Sequence, residues 1–153
     1  MIPKSKIGIN SSKKSHFKQG HFEDRYEPNK YFGERPIIYR SGLELKFMIW
    51  LEKNPKVVKW SSEKIVIPYY MHEKINGKVI IKKHDYFTDF TVEMSNGDVY
   101  VVEVKPSSQC PIRKDEISKN PILYKNACKW KAALDWCKQN GYIFKVITEK
   151  SIH

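Results

Sequence analysis

The chain has 153 residues, of which 41% are hydrophobic and 13% aromatic, so it is long enough to fold as one domain with a buried core. Its 28 basic and 17 acidic side chains give a net charge of +11, which favours a polyanionic partner such as DNA or RNA. No apolar run reaches the length of about 18 residues that a membrane-spanning helix needs, so no membrane partner is expected. Three widely spaced cysteines argue against a zinc site and suit a reducing, cytoplasmic setting.

Residues 1–35 are rich in lysine and arginine, and their isolated aromatic residues follow no helical or strand period. This composition predicts a poorly ordered basic arm, docked at most through its aromatics, and places the folded domain at residues 36–153. Lys13 and Lys14 are candidates for contacts with DNA phosphates, which add affinity without reading sequence. A solvated tail is the alternative interpretation.

The first helix is predicted to begin after Ser41, because Glu44 three residues later completes a capping box. An apolar stripe follows at helical spacing, and Asn54-Pro55 ends the helix; the stripe is Leu43, Phe47, Trp50 and Leu51. Glu44 lies at the edge of this stripe, so two roles compete for it. It either serves the helix as a capping residue or reaches a metal site as a carboxylate ligand.

A strand is predicted at residues 65–70 and a hairpin at Asn76-Gly77, and the chain then runs through residues 78–88 toward Asp89. Asp85 is a second acidic candidate near the start of the next strand, but the hairpin register described below reaches Asp89. Glu63 is interpreted as a surface carboxylate, with the orientation of a water or a metal-bound group as the alternative.

Residues 89–105 carry the clearest chemical signal. Two runs rich in β-branched residues flank Asn96-Gly97, which is typical of a hairpin. A three-residue loop, Ser95-Asn96-Gly97, places Asp89 opposite Glu103, whereas a two-residue loop sends them to opposite faces of the sheet. We predict the three-residue loop.

Strand alternation also projects Lys105 from the same face as Glu103. Two carboxylates about 5 Å apart repel unless a cation lies between them, and all-oxygen ligands suit Mg²⁺ or Mn²⁺. Such an ion polarises a phosphoryl oxygen and activates water. The hairpin therefore predicts a metal-dependent phosphodiesterase, with Lys105 orienting the water or stabilising developing charge.

A second helix is predicted from about Pro121 to Gln139, with Gly141 as its stop and with Leu123, Ala127, Trp130, Leu134 and Cys137 as its buried stripe. Lys125, Asn126 and Lys129 lie beside that stripe, either as a solvated face or as donors to DNA phosphates. Residues 106–121 are predicted to be a polar loop. The last strand, residues 142–148, is expected near the Glu103 strand.

This order of elements predicts an α/β fold with a mixed sheet flanked by helices. The helix with Glu44, the strand start at Asp89 and the Glu103-Val104-Lys105 strand resemble the PD-(D/E)xK nuclease superfamily, with Thr88 where a proline often precedes the aspartate. The resemblance implies a restriction-endonuclease-like core and a metal-dependent DNA endonuclease. It implies that Asp89, Glu103 and Lys105 are catalytic, that Glu44 assists the metal, and that the backbone carbonyl of Val104 is a further ligand.

A narrower likeness covers most of the domain. Residues 37–41, 60–63, 65–69, 103–106 and 126–130 resemble the head completion nucleases of T4-type tailed phages. This implies a late assembly protein that acts on DNA in the host cytoplasm, with phage head or portal proteins as partners and a place in the virion as an alternative. Arg40, Lys125, Asn126 and Lys129 are then expected at the DNA. The layout is also similar to TnsA-type endonucleases and junction resolvases, and a non-catalytic assembly factor that binds DNA is the alternative outside the enzymes.

Overall fold

A computed structural model describes residues 19–110 and 114–152. The strands in these residues are β1 (Gly20–His21), β2 (Ile38–Tyr39), β3 (Val57–Ser62), β4 (Val66–Ile75), β5 (Lys78–Phe87), β6 (Phe90–Met94), β7 (Val99–Val104) and β8 (Ile143–Ile147). The helices are α1 (Gly42–Lys53), α2 (Lys114–Lys119) and α3 (Pro121–Asn140), with 3₁₀ turns at Phe22–Asp24 and Ser107–Gln109. The stretch predicted as a polar loop therefore contains a 3₁₀ turn and α2.

The central sheet has the strand order β3-β6-β7-β8. β6 pairs antiparallel with both β3 and β7, whereas β8 joins β7 in parallel after the crossover through α3. This confirms the predicted mixed sheet and the position of the last strand beside the strand that carries Glu103. β7 is thus an interior strand, hydrogen-bonded on both sides.

The β6–β7 hairpin, which we call the inner hairpin, has the predicted register. Phe90 pairs with Val102, and the amide of Met94 donates to the carbonyl of Asp98 at 2.8 Å. Gly97 has φ 95°, a left-handed conformation that favours glycine, and its amide donates to the carbonyl of Met94. The loop is therefore Ser95-Asn96-Gly97, and the prediction of three loop residues is confirmed.

Helix α1 begins as predicted and packs on one face of the sheet. The Ser41 hydroxyl accepts a hydrogen bond from the amide of Glu44 at 3.1 Å, which caps the helix. Phe47 and Leu51 are buried with Phe90 and Val102 in one apolar cluster. The predicted stripe is wrong at one position, because Trp50 is 43% exposed and Met48 is buried in its place.

Residues 19–35 belong to the folded domain, so the predicted boundary at residue 35 is wrong for this part of the arm. Phe22 is fully buried and meets Trp60 edge-on at 5.8 Å. The Glu52 carboxylate accepts from the amides of Asn29 and Lys30 and from the Trp60 indole. The arm residues that make these contacts lie in turns and loops, so their spacing in the sequence follows no helical or strand period. Lys13 and Lys14 lie outside the described residues.

Helix α3 covers the other face of the sheet. Its buried stripe matches the prediction at its two ends, Leu123 and Cys137, but not between them. Ala133 is buried, whereas Leu134, predicted to be buried, is 56% exposed. Ala133 packs with Ile67 and Tyr69 of β4, where a short side chain lets the helix approach the strand closely. Asn120 caps the helix, which the sequence analysis did not predict, and Gly141 ends it at φ 75°, as predicted.

β4 and β5 form a separate two-stranded sheet, which we call the outer hairpin (residues 66–87). Its strands pair from Val66–Phe87 to Ile75–Lys78 around the predicted Asn76-Gly77 turn. One face packs on α3, and the opposite face exposes large apolar side chains: Tyr70, Val79, Ile81 and Phe87. In residues 19–110 and 114–152, no helix is long and apolar enough to cross a membrane.

Candidate active site

Asp89 lies one residue before β6, and the hairpin register places it opposite Glu103, one step beyond the Phe90–Val102 pair. Its Oδ2 accepts a hydrogen bond from the amide of Val104 at 2.8 Å, so its carboxylate reaches across to β7. Burial and the nearby negative charges of Glu103 and Glu44 raise the pKa of Asp89 well above its ordinary value. An uncompensated carboxylate here is therefore costly, and a cation nearby would lower that cost.

Thr88, which stands where a proline often precedes the motif aspartate, fixes the approach to Asp89. It is fully buried, and both its amide and its hydroxyl donate to the carbonyl of Ile65. The missing proline is thus replaced by two hydrogen bonds to the start of the outer hairpin.

Glu103 is the most deeply buried carboxylate of the site, with only 2% of its side chain exposed. Its Oε2 lies 3.1 Å from Nζ of Lys105, which confirms that the two side chains project together. Its Oε1 accepts a hydrogen bond of 2.5 Å from the hydroxyl of Tyr86 on β5. Each oxygen of Glu103 is therefore held by a defined donor, which fixes the orientation of the carboxylate.

Glu44 serves the start of α1, and it also lies close enough to other carboxylates for their charges to act on it. Its carboxylate accepts from the amide of Arg40 at 3.0 Å, one residue before the Ser41 cap, so the reciprocal bond of the predicted capping box is displaced by one residue. Burial and the charges of Glu63 and Glu103 raise the pKa of Glu44, against the opposing effect of the Arg40 amide. A helix-capping carboxylate thus also stands within the electrostatic field of the site.

Arg40 and Glu63 form an ion pair at the edge of the carboxylates. Nη1 of Arg40 lies 2.6 Å from Oε2 of Glu63, and only 12% of the arginine side chain is exposed. The amide of Glu63 also donates to the carbonyl of Asp89, and Glu63 itself has φ 52°. Glu63, with 30% of its side chain exposed, is thus a surface carboxylate in part, but its partners Arg40 and Asp89 hold it in place.

The three α3 residues predicted beside the DNA have different environments: Lys125 faces outward, Lys129 is half-buried beside the site, and Asn126 is buried. Nζ of Lys129 lies over the Tyr86 ring, 4.6 Å from its centre, and burial lowers the pKa of Lys129 against the nearby charge of Glu103. The prediction for Asn126 is wrong, because it is 3% exposed and its Nδ2 donates to the carbonyl of Gln109. Asn126 instead holds the turn after β7.

Tyr86 is the site residue that the sequence analysis missed. Burial and the charge of Glu103 raise its pKa far above the ordinary tyrosine value, so its hydroxyl is a permanent donor to Glu103. No alternation pattern links Tyr86 to Asp89, since β5 ends at Phe87 and Thr88 breaks the strand. The only available signal was an aromatic residue shortly before the acidic one.

Two comparisons with known proteins give matches that cover most of the chain. A family model described as "TnsA-like endonuclease N terminal" matches residues 54–149. The chain belongs to the TnsA-like endonuclease family. It is also 33% identical over 136 residues to the head completion nuclease of Enterobacteria phage T4, covering 81% of this chain and 87% of the relative. The family match includes Asp89, Glu103, Lys105 and Lys129 and begins after Glu44.

The donor set of this TnsA-like endonuclease fits a hard divalent ion. Asp89, Glu103 and Glu44 supply only carboxylate oxygens, which Mg²⁺ and Mn²⁺ prefer. Within the part of the chain that the structure describes, no three His, Cys, Asp or Glu side chains are gathered closely enough to hold an ion as they stand. Lys105 and Tyr86 occupy the oxygens of Glu103 instead. Each carboxylate oxygen accepts at two positions, so Glu103 could bind an ion and keep the hydrogen bond from Tyr86 once the carboxylates draw closer together.

Proposed function

We propose that the protein is a metal-dependent DNA endonuclease that acts in the completion of phage heads. The observation that carries the proposal is the convergence of Asp89, Glu103 and Lys105 at one end of β6 and β7. The family match and the printed name of the phage T4 relative support the same activity. The proposed setting is the host cytoplasm during assembly, with head or portal proteins as partners.

The proposed cofactor is Mg²⁺ or Mn²⁺. Asp89, Glu103 and the backbone carbonyl of Val104 would hold the ion, with Glu44 as an additional carboxylate. A divalent ion there would supply a Lewis acid for the phosphoryl oxygen and a lowered pKa for an attacking water. The mutual repulsion that raises the pKa of Asp89 supports a cation at this position.

The protein's own side chains would orient the substrate. Lys105, fixed by Glu103 at 3.1 Å, is close enough to the carboxylates to orient a water or to stabilise charge that develops on the phosphate. Lys129 and Arg40 flank the carboxylates, and Lys125 extends the positive charge along α3. Lys13 and Lys14 are proposed as further phosphate contacts on the basis of their charge alone.

The test is cleavage of supercoiled and linear plasmid DNA with Mg²⁺ or Mn²⁺. Asp89→Asn and Lys105→Ala should each abolish cleavage, as should removal of the ion by EDTA. Asp85→Asn and Lys82→Ala are matched controls, because both residues are exposed on the outer hairpin. The controls should cleave as the wild type does.

Equal activity in all variants would point to a contaminating nuclease or a different site. If the wild type binds DNA in a salt-sensitive manner but does not cut it, the alternative of a non-catalytic assembly factor replaces the endonuclease.

A further inference from the structure

An exposed aromatic ring stands beside the carboxylate site on a loop that the structure holds firmly. Phe32 is 62% exposed, although its backbone amide donates to the carbonyl of Trp60 at 2.8 Å. Tyr31 pairs with Trp60 in a parallel β-bridge, and its hydroxyl donates to the carbonyl of Glu34 at 2.7 Å. The exposure of Phe32 is therefore a property of a fixed loop rather than of a free chain end.

Gly33 makes this loop geometry possible. A Cβ atom at Gly33 would lie 2.6 Å from the Tyr31 hydroxyl oxygen and 3.0 Å from Cβ of Ser61. Only glycine therefore lets the Tyr31 side chain fold back under the loop, which leaves Phe32 projecting outward.

Phe32 borders two cavities. One, of about 360 Å³, includes Lys59, whose Nζ lies 5.0 Å from the centre of the Phe32 ring. The other, of about 480 Å³, is also lined by Arg40, Glu63 and Lys64. The second cavity is large enough for a small ligand, and among the described residues no cation or ring is recorded against Phe32 other than Lys59.

Two wall residues of the larger cavity also contact the residues of the carboxylate site. Arg40 donates its backbone amide to the Glu44 carboxylate, and Glu63 donates its amide to the carbonyl of Asp89. A ligand in this cavity would thus be a near neighbour of a phosphate at Asp89.

The lining suits a nucleobase better than a bare phosphate. Arg35, Arg40 and Lys64 carry donor groups, and Glu34 and Glu63 carry acceptors. Arg40 and Glu63 also contact each other at 2.6 Å, so the wall presents both signs of charge side by side. A base presents both donors and acceptors at its edge and an aromatic face for stacking, but a phosphate presents only acceptors. Stacking on a protein side chain requires the aromatic face of the base to be free. Inside a duplex, the neighbouring bases cover that face.

We propose that Phe32 is a stacking platform for an unpaired base next to the phosphate that is cut. The preferred substrate is then DNA with unpaired nucleotides at or beside the cleavage point, such as a tailed end. This inference rests on the proposed function, because it takes DNA as the substrate.

The experiment compares a blunt DNA duplex with the same duplex carrying a short unpaired tail at its 5′ or 3′ end. Binding is measured by fluorescence anisotropy in EDTA, which prevents cleavage. Loss of one stacked base costs about 1–3 kcal/mol, so Phe32→Ala should weaken binding of the tailed duplex about 5- to 150-fold. Binding of the blunt duplex should be nearly unchanged, and Phe32→Trp should bind the tailed duplex at least as well as the wild type does.

Tyr70→Ala is the matched control, because Tyr70 is an aromatic residue with 59% exposure on the outer hairpin. It should leave binding of both duplexes unchanged. Equal effects of Phe32→Ala on the tailed and blunt duplexes, or no effect on either, would overturn the stacking platform. Because binding is measured without a divalent ion, a wild type that fails to cut DNA in Mg²⁺ counts against the proposed function and leaves this comparison interpretable.

Discussion

The outer and inner hairpins share the turn dipeptide Asn-Gly but close with different registers. In the outer hairpin, Asn76 and Gly77 have φ of 52° and 79° and form the whole loop between paired Ile75 and Lys78. In the inner hairpin, Ser95 joins the loop, and only Gly97 has a positive φ.

The difference shows that burial, and not the turn residues alone, selects the register. The outer hairpin exposes one face, so its register follows the most favourable two-residue turn. The inner hairpin is packed on both faces, with Val102 against α1 and Glu103 bonded to Tyr86 on the opposite side. A shift of the pairing register by one residue would turn Glu103 toward the apolar side and Val102 toward Tyr86, which would be strongly destabilising.

The largest effect is expected from removing one charge from the inner hairpin. Glu103→Gln should slow plasmid cleavage at least about 100-fold, because a divalent ion supplies several kcal/mol of charge stabilisation. The matched change Glu73→Gln, in the outer hairpin, removes a carboxylate that contacts only the His84 ring among recorded partners and should leave the rate within about twofold. Initial rates of plasmid nicking in Mg²⁺ measure both. Similar rates in the two variants would contradict the assignment of Glu103.

A smaller effect is expected from the hydroxyl that orients Glu103. Tyr86→Phe keeps the ring beneath Lys129 but removes the donor to Glu103, and it should raise the Mn²⁺ concentration for half-maximal cleavage about 10- to 100-fold. Tyr69→Phe is the control, since Tyr69 is equally buried in the same cluster and its ring stacks on His84. If Tyr86→Phe changes the thermal stability but not the metal dependence, Tyr86 is only a packing residue.

The contrast in burial can be measured with identical substitutions. Val92→Ala removes two buried carbon atoms from the inner hairpin and should lower the free energy of unfolding by about 2 kcal/mol. Val79→Ala, at a position 65% exposed in the outer hairpin, should change it by less than about 0.5 kcal/mol. Urea denaturation followed by circular dichroism gives both values. Comparable losses would mean that a partner surface covers the outer hairpin.

The smallest effect is expected at the two turn glycines. Alanine in a left-handed conformation costs about 1 kcal/mol, and neither Gly77 nor Gly97 has a neighbour that a Cβ atom would meet. Gly97→Ala should lower Tm by about 2–4 °C, because its turn unfolds with the whole sheet. Gly77→Ala should lower Tm less, since the outer turn can open locally. Calorimetry measures Tm for both variants. A larger decrease in Tm for Gly77→Ala than for Gly97→Ala would contradict this prediction.

Local sequence signals predicted much of the fold and part of the site. The helix cap at Ser41, the three-residue inner loop and the joint projection of Glu103 and Lys105 all depend on residues close in sequence, where backbone geometry is decisive. Phe22 and the anchor at Glu52 could not be predicted in this way, because their partners lie in distant loops and strands.

Tyr86 and Asn126 show the same limit within the site. Tyr86 reaches Glu103 only because the outer hairpin packs against the sheet, and alternation along β5 does not specify that packing. Asn126 is polar and one position away from the predicted stripe, so its burial depends on the rotation of α3 about its axis. Hydrophobic periodicity locates the buried face of a helix to within about one residue. That precision is not sufficient to decide whether a residue at the edge of the face contacts DNA or is buried in the protein.

The interior position of β7 has a consequence for how long the enzyme survives heating. Its backbone is bonded to β6 on one side and to β8 on the other, so its amides should exchange with deuterium only when the whole domain opens. Catalytic failure on warming should therefore coincide with complete denaturation, with no earlier stage in which a folded but inactive protein accumulates.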